Sequence, residues 1–285
     1  MGGGTWSGES FRTYSKGVGR AVDTNGYTST QNAYKAKRLD EDLNPFGVIR
    51  ECCDSTEHPN TVPVILALDV TGSMGAACEK TVASLNVIMT NLYKKFNDIE
   101  FLIMGIGDFS YDMSPAQASQ FESDIRIAEQ LDKLFLEKRG GGNNWESYTA
   151  AWYFGLHHTK LDCWNRGQKG IIITMGDEQL NPYLPARKIS QFLSDSPQSD
   201  VNTPELYEEV IHKFDVFHIS IDDYASSYSM NNRDGEVDDS WQKVIGQHYS
   251  VSSINELPGR IEECITASIE KKSAATTQNC NTIGW

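Results

Sequence analysis

The 285-residue chain contains no run of 18 or more apolar residues, so nothing in it reads as a membrane-spanning helix. Bases are scarce: 25 Lys and Arg stand against 39 Asp and Glu, for a net charge of −14. That balance repels a phosphate backbone and argues against a general nucleic-acid binder. The six cysteines, at 52, 53, 78, 163, 264 and 280, form no CxxC spacing. The Cys52-Cys53 pair has no matching pair nearby, so no zinc framework is expected. Reduced structural thiols, and with them a cytoplasmic setting, are the expectation. The opening MGGGTWSGES has no charged segment followed by an apolar stretch, so no secretory leader is expected. Trp6 stands where a myristoylation motif wants Ser or Thr, so that anchor is not expected either. GxxxxGK[ST], HExxH and GxSxG are all absent. A P-loop, a zincin site and a nucleophile elbow are thereby excluded.

Hydrophobic residues make up 39% of the chain and aromatic residues 10%, enough for a substantial core. Residues 61–70 read TVPVILALDV, a continuous, β-branched-rich run between HPN and TG. Such a run predicts a strand buried on both faces, as in a parallel sheet. Similar strands are predicted over 99–107, 170–176 and 215–221, with a short last one at 249–251. Helices are predicted over 75–96, 121–138, 146–158, 185–193, 204–214, 240–247 and 257–271. In the first, Cys78, Val82, Leu85, Met89 and Leu92 recur at steps of three and four. Alternating strands and helices predict an α/β fold with a doubly wound, mostly parallel central sheet flanked by helices, and an irregular N-terminal extension.

The expected organisation has three parts: an extended arm over 1–60, a domain over 61–272 and a tail over 273–285. Residues 1–38 carry six bases against two acids, with Trp6, Phe11, Tyr14, Tyr27 and Tyr34 as spaced anchors. The arm is expected either to lie on its own domain or to serve assembly. Residues 195–240 hold twelve acids against two bases, which predicts an acidic surface insertion with a solvated face.

Ligands of doubly wound sheets bind beyond the carboxyl ends of the strands. There the first strand ends in Asp69-Val70-Thr71-Gly72-Ser73-Met74. One carboxylate and two hydroxyls at alternating positions, in a turn entering a helix, can point at one spot. Such oxygen ligands suit a hard cation: Mg2+, Mn2+ or Ca2+.

This DVTGSM segment resembles the first motif of the von Willebrand factor A-type domain, whose metal-ion-dependent adhesion site follows an Asp-x-Ser/Thr-x-Ser pattern. The resemblance spans roughly residues 60–272. It implies metal ligation by Asp69, Thr71 and Ser73. The family's second loop places a Thr after a glycine pair. Here the matching stretch, GGGNNWES from Gly140, lacks it, and Glu146 fits a variant with an acid before the helix. A carboxylate there adds negative charge, which strengthens cation binding and weakens the demand for an acidic ligand from a partner. Asn143 and Asn144 are secondary candidates, or turn residues. In the third motif Met175 stands where an acid is usual, and Asp177, two residues on, is the expected replacement, with Glu178 as alternative. Asp108 is expected beside the site rather than on the ion, and Asp222-Asp223 as solvated loop acids. His218, within a strand, reads as a core histidine, and the neighbours His157-His158 cannot chelate one ion together.

The resemblance implies a divalent-metal-dependent protein-binding module whose partner completes the metal's shell, in the usual case with an Asp or Glu. An AAA+ ATPase system is one partner the family implies, in an intracellular, bacterial or phage setting, cytoplasm or virion. Self-assembly through the basic arm, as a structural subunit, is the alternative. No base stands beside the site, so an enzyme is not expected, with a metal-dependent hydrolase the remaining alternative.

Overall fold

The computed structural model describes residues 4–137, 142–222 and 233–281. Six strands form one sheet: β1 (Val62–Asp69), β2 (Ile99–Ile106), β3 (Ala116–Ala118), β4 (Gly170–Gly176), β5 (Phe214–Ile221) and β6 (Tyr249–Ser252). Their spatial order is β3-β2-β1-β4-β5-β6. All neighbours are parallel except β3, which runs antiparallel to β2 at the edge. The chain thus starts in the middle of the sheet, builds outwards to one edge, then returns beside β1 to build the other half. The order reverses between β1 and β4, and in doubly wound sheets ligands bind at such a switch point, beyond the carboxyl ends of the strands.

The sheet separates two cores. Even-numbered residues of β1 (Val64, Leu66, Leu68) face one way, into a core closed by α1 (Gly8–Gly17), α2 (Gly75–Tyr93), α3 (Arg126–Lys133) and α8 (Leu257–Asn281). Odd-numbered Ile65 and Ala67 face the other way, into a core closed by α4 (Thr149–His157), α5 (Ala186–Phe192), α6 (Thr203–Val210) and α7 (Arg233–Ile245). Burial on both faces is why the strands read as unbroken apolar runs. The predicted stripe of α2 is buried in full, from Cys78 to Leu92. Among the described residues no helix is long and apolar enough to cross a membrane.

Several boundaries differ from expectation. The 121–138 helix starts only at Arg126, because Glu122 is held in an antiparallel bridge to Phe101 of β2. The 146–158 helix starts at Thr149, because Trp145–Glu146 pairs instead with Gln179–Leu180 as a short parallel ladder. The C-terminal helix runs to Asn281, through most of the expected tail, and residues 282–285 lie outside the described residues. Much of the acidic 195–240 stretch is framework: it builds α6, β5 and most of α7, while 223–232 lies outside the described residues.

Residues 4–60, expected as an extended arm, contain a ten-residue helix, α1, and are packed on their own domain. Ser7 caps α1 by accepting from the Ser10 N–H. Trp6, Phe11 and Tyr34 are buried with α2 and β1 in one core. Trp6 Nε1 donates to Asn86 Oδ1 (3.2 Å), and the Tyr34 hydroxyl donates to the Cys78 carbonyl (3.0 Å). Arg20, itself buried, pairs with Asp132 at 2.6 Å, and Tyr14 donates to the same carboxylate. These polar contacts orient an aromatic layer whose burial supplies most of the attachment.

Candidate metal centre

Asp69 closes β1 at the switch point and is fully buried. A charged group there needs partners, and its two oxygens have different ones. Oδ1 accepts from the Thr71 N–H (2.9 Å) and from the Thr71 hydroxyl (2.6 Å). Oδ2 accepts from the hydroxyl of Tyr148 (2.8 Å). The turn that follows, Gly72–Met74, is a single 3-10 turn leading into α2, and it leaves Ser73 exposed. Ser73 Oγ donates to Asp177 Oδ1 at 3.0 Å. Asp177, 3% exposed, lies just past β4. The structure therefore places Asp177, and not the buried core residue Met175, against the first loop.

Glu146 arrives from a third direction. Its two-residue ladder with Gln179–Leu180 ties it to the segment that follows Asp177. The loop after β2 fixes its neighbour: Gly107 O accepts from Ser147 N, and Ser147 Oγ accepts from Phe109 N. Glu146 is 5% exposed, and its Oε2 has no hydrogen-bond partner among the described residues. Asp108, near the start of that loop, is also buried, and its Oδ2 has no partner among the described residues. Burial and the neighbouring acids, Asp69 foremost, push the Glu146 carboxyl far above its usual range. Burial and Asp177 likewise raise Asp69. No described Lys or Arg forms an ion pair with Asp69, Asp108 or Glu146.

Tyr148 has no counterpart among the expected residues. Its hydroxyl donates to Asp69 and accepts from the Glu178 N–H (3.3 Å), so it links β1 to the turn after β4. Gly176 makes room for it: a Cβ at that position would overlap the Tyr148 hydroxyl. The only sequence signal is this glycine at the end of a strand. Glu178 serves through its backbone, with its carbonyl accepting from Trp241 Nε1. Asn143 and Asn144 are loop residues, and the Asn144 carbonyl accepts from Gln179 N. Asp222 is exposed, and Asp223 lies outside the described residues. His218 is a core residue as expected: it is fully buried, stacked on Trp241 at 3.5 Å, and joined through Nδ1 to Thr174 Oγ1. Burial holds its pKa well below the usual value.

The donor set suits a cation. The Thr71, Ser73 and Tyr148 hydroxyls each give their one proton to a carboxylate, so what they keep is lone pairs. Carboxylate and hydroxyl oxygens are the ligand set of Mg2+, Mn2+ and Ca2+. Among the described residues no three Asp, Glu, His or Cys groups converge closely enough to hold an ion by themselves. An ion held here would therefore need the hydroxyls of Thr71 and Ser73 beside the carboxylates.

No protein-family model matches the sequence, and no curated protein does. Several solved structures are similar. The pilus adhesin SpaC from Lactobacillus rhamnosus GG, in its open conformation, matches with 12% identity and a TM-score of 0.49, over 79% of this chain. The chain spans 31% of SpaC's length. The vWF domain of the type V pili tip protein Mfa5 from Porphyromonas gingivalis matches with 12% identity and a TM-score of 0.43, over 73% of this chain and 95% of that one. The conserved hypothetical protein BatB from Bacteroides thetaiotaomicron matches with 13% identity and a TM-score of 0.43, over 73% and 99%. Likeness at such identities concerns the fold alone. The strand order, with Asp69 at the switch point, is that of a doubly wound α/β domain, in keeping with the von Willebrand A-type resemblance of the DVTGSM segment.

Proposed function

We propose that this chain is a divalent-cation-dependent protein-binding module. Asp69, Thr71, Ser73, Asp177 and Glu146 hold the ion, Mg2+ or Mn2+ in the first place. One observation carries this reading: the hydroxyl protons of Thr71 and Ser73 are already given to carboxylates, while buried Glu146 keeps an oxygen with no partner among the described residues. A buried acceptor without a donor is costly, and a cation removes that cost. The ion would supply a fixed positive centre at the carboxyl end of the central strands. Ser73, exposed beside it, marks the side from which a partner reaches it.

A binding role is favoured over hydrolysis because the buried imidazole behind the site, His218, is sealed under Trp241 and held to Thr174. A reducing setting is part of this proposal, and the Cys78 thiol, whose Sγ donates to the Asp69 carbonyl, is in keeping with it.

Calorimetric titration of metal-stripped protein with Mn2+ and Mg2+ tests the reading, with Asp69→Ala alongside. One-site binding lost in a variant that keeps its far-ultraviolet circular dichroism supports it. Equal binding by both proteins overturns it.

A further inference from the structure

The N-terminal segment, residues 4–60, reaches the candidate metal centre through α2. We propose that this segment sets the site's cation affinity through two positioning residues, Tyr34 and Cys78, so that docking of the segment and binding of the ion strengthen each other. This deepens the reading above and rests on it.

Two hydrogen bonds carry the connection. The register between β1 and β4 ends at Leu68 and Met175, one residue short of Asp69. The carbonyl of Asp69 accepts from the Cys78 thiol at 3.2 Å. Burial and the neighbouring Asp69 push that thiol's pKa up, so it keeps the proton it donates. At the backbone of the same residue, the Cys78 carbonyl accepts from the Tyr34 hydroxyl at 3.0 Å. Tyr34, Cys78 and Asp69 are all buried. Cys78 lies in the first turn of α2, directly after the loop of Thr71 and Ser73, and this helix starts without a side-chain cap. What packs on its first turn therefore helps to place the loop.

Backbone strain marks the far end of this connection. Among the described non-glycine residues only Asn32, Tyr34 and Ser194 have positive φ, and Tyr34, at +50°, is the one bulky side chain of the three. Such strain persists only where surrounding contacts over-determine it. Here it accompanies a phenol fixed on α2. The rest of the segment grips the same helix. The Thr28 N–H donates to the Ala83 carbonyl (2.9 Å), Asn86 Nδ2 donates to the Gly26 carbonyl (3.1 Å), and Lys80 Nζ lies 5.6 Å from the centre of the Tyr27 ring. The segment thus holds α2 from Cys78 to Asn86, and the cation loop runs straight into that helix. Two states are at issue, the segment docked on α2 or lifted from it. If docking raises affinity for the ion by some factor, the ion must stabilise docking by the same factor.

The test uses the full chain and Mn2+, with wild type beside Tyr34→Phe, Cys78→Ala and Cys78→Ser. Tyr34→Phe and Cys78→Ala are each expected to weaken Mn2+ binding by about fivefold or more, the lower end of couplings between sites. Cys78→Ser keeps a donor towards Asp69 and is expected to stay near wild type, a rescue that lost packing alone does not produce. In the reverse direction, Mn2+ slows hydrogen exchange of the Thr28 amide beyond any slowing in α6, which lies on the other face of the sheet. That excess disappears in Tyr34→Phe. Should Cys78→Ala fail to fold, Tyr34→Phe and the exchange measurement decide. Wild-type affinity in either Tyr34→Phe or Cys78→Ala overturns the proposal, as does equal weakening in Cys78→Ala and Cys78→Ser, or no excess slowing at Thr28. Failure of wild type to take up Mn2+ overturns this proposal together with the cation-site reading. Mn2+ uptake without the coupling overturns this proposal alone.

Discussion

The hydroxyl of Tyr148 donates to Asp69 Oδ2 at 2.8 Å while accepting from the Glu178 backbone N–H. One phenol thereby fixes the orientation of the first candidate ligand and ties it to the turn that carries Asp177. Groups behind a ligand set its geometry, and their loss commonly costs about 10–100-fold in metal affinity. Tyr148→Phe is therefore expected to weaken Mn2+ binding by that factor while Asp69→Ala abolishes it. Calorimetry on both variants checks the order. An unchanged affinity in Tyr148→Phe would remove Tyr148 from the site. The same variant leaves buried Asp69 short of a donor, so urea unfolding of the metal-free form should show a loss of about 1–3 kcal/mol.

Protons and cations compete for this cluster. Burial raises both Asp69 and Glu146 above the usual carboxylate range, helped by Asp177 beside the first and Asp69 beside the second. In the metal-free protein these groups hold protons at a pH where free carboxylates have lost them, and an ion displaces those protons. Apparent affinity for Mg2+ is expected to rise with pH across the neutral range, with proton release on binding. Titrations in two buffers of different ionisation enthalpy measure that release. An affinity independent of pH would contradict the crowded-carboxylate description.

Glu100 offers a pH effect away from the metal centre. It lies in β2, 3% exposed, and burial raises its pKa to about 7 from 4.5. The folded form then binds the proton more tightly than the unfolded form. The resulting stability is present below the unfolded value and is lost as pH rises towards 7. Glu100→Gln should match wild type near pH 4.5 and exceed it above pH 7, by roughly 1–3 kcal/mol. Urea melts at the two ends of that range give the sign directly. A deficit in the variant at high pH would show that the ionised Glu100 is well served where it lies.

The N-terminal segment has its own test. Phe11 is 1% exposed in the core that α2 shares with β1. Phe11→Ala should cost about 3–5 kcal/mol by urea unfolding, as for a buried aromatic elsewhere in a core. A loss below about 0.5 kcal/mol, the range of surface substitutions, would mean that the segment is a detachable arm.

The sheet was readable in the sequence because its strands are buried on both faces, and such strands leave apolar runs like VPVILALD and GIIITMG. The Asp69, Thr71 and Ser73 loop was readable because its residues are close in sequence. Glu146 stands out in the sequence as a candidate, but its stretch reads as the start of a helix. Its ladder with 179–180 depends on a partner over thirty residues away, and two residues carry no period. Tyr148 was hidden for another reason. It belongs to the stretch YTAAWYFGL, where an aromatic reads as core, and it is fully buried as the core requires. Only the spatial closeness of Gly176 and Asp69 reveals its hydroxyl as part of the site. The N-terminal segment was legible through its spaced aromatics, of which Trp6, Phe11 and Tyr34 are buried in the core, while its polar, glycine-rich composition hides the helix Gly8–Gly17.

The most direct test of the central claim is crystallographic. Crystals of the full chain soaked with Mn2+, with diffraction recorded at the manganese absorption edge, locate the ion by its anomalous scattering. The account predicts one strong peak bordered by Asp69, Thr71, Ser73 and Asp177, with the Glu146 carboxylate turned towards it, and no such peak in Asp69→Ala. A peak elsewhere, or an ordered switch-point crevice with none, would contradict it.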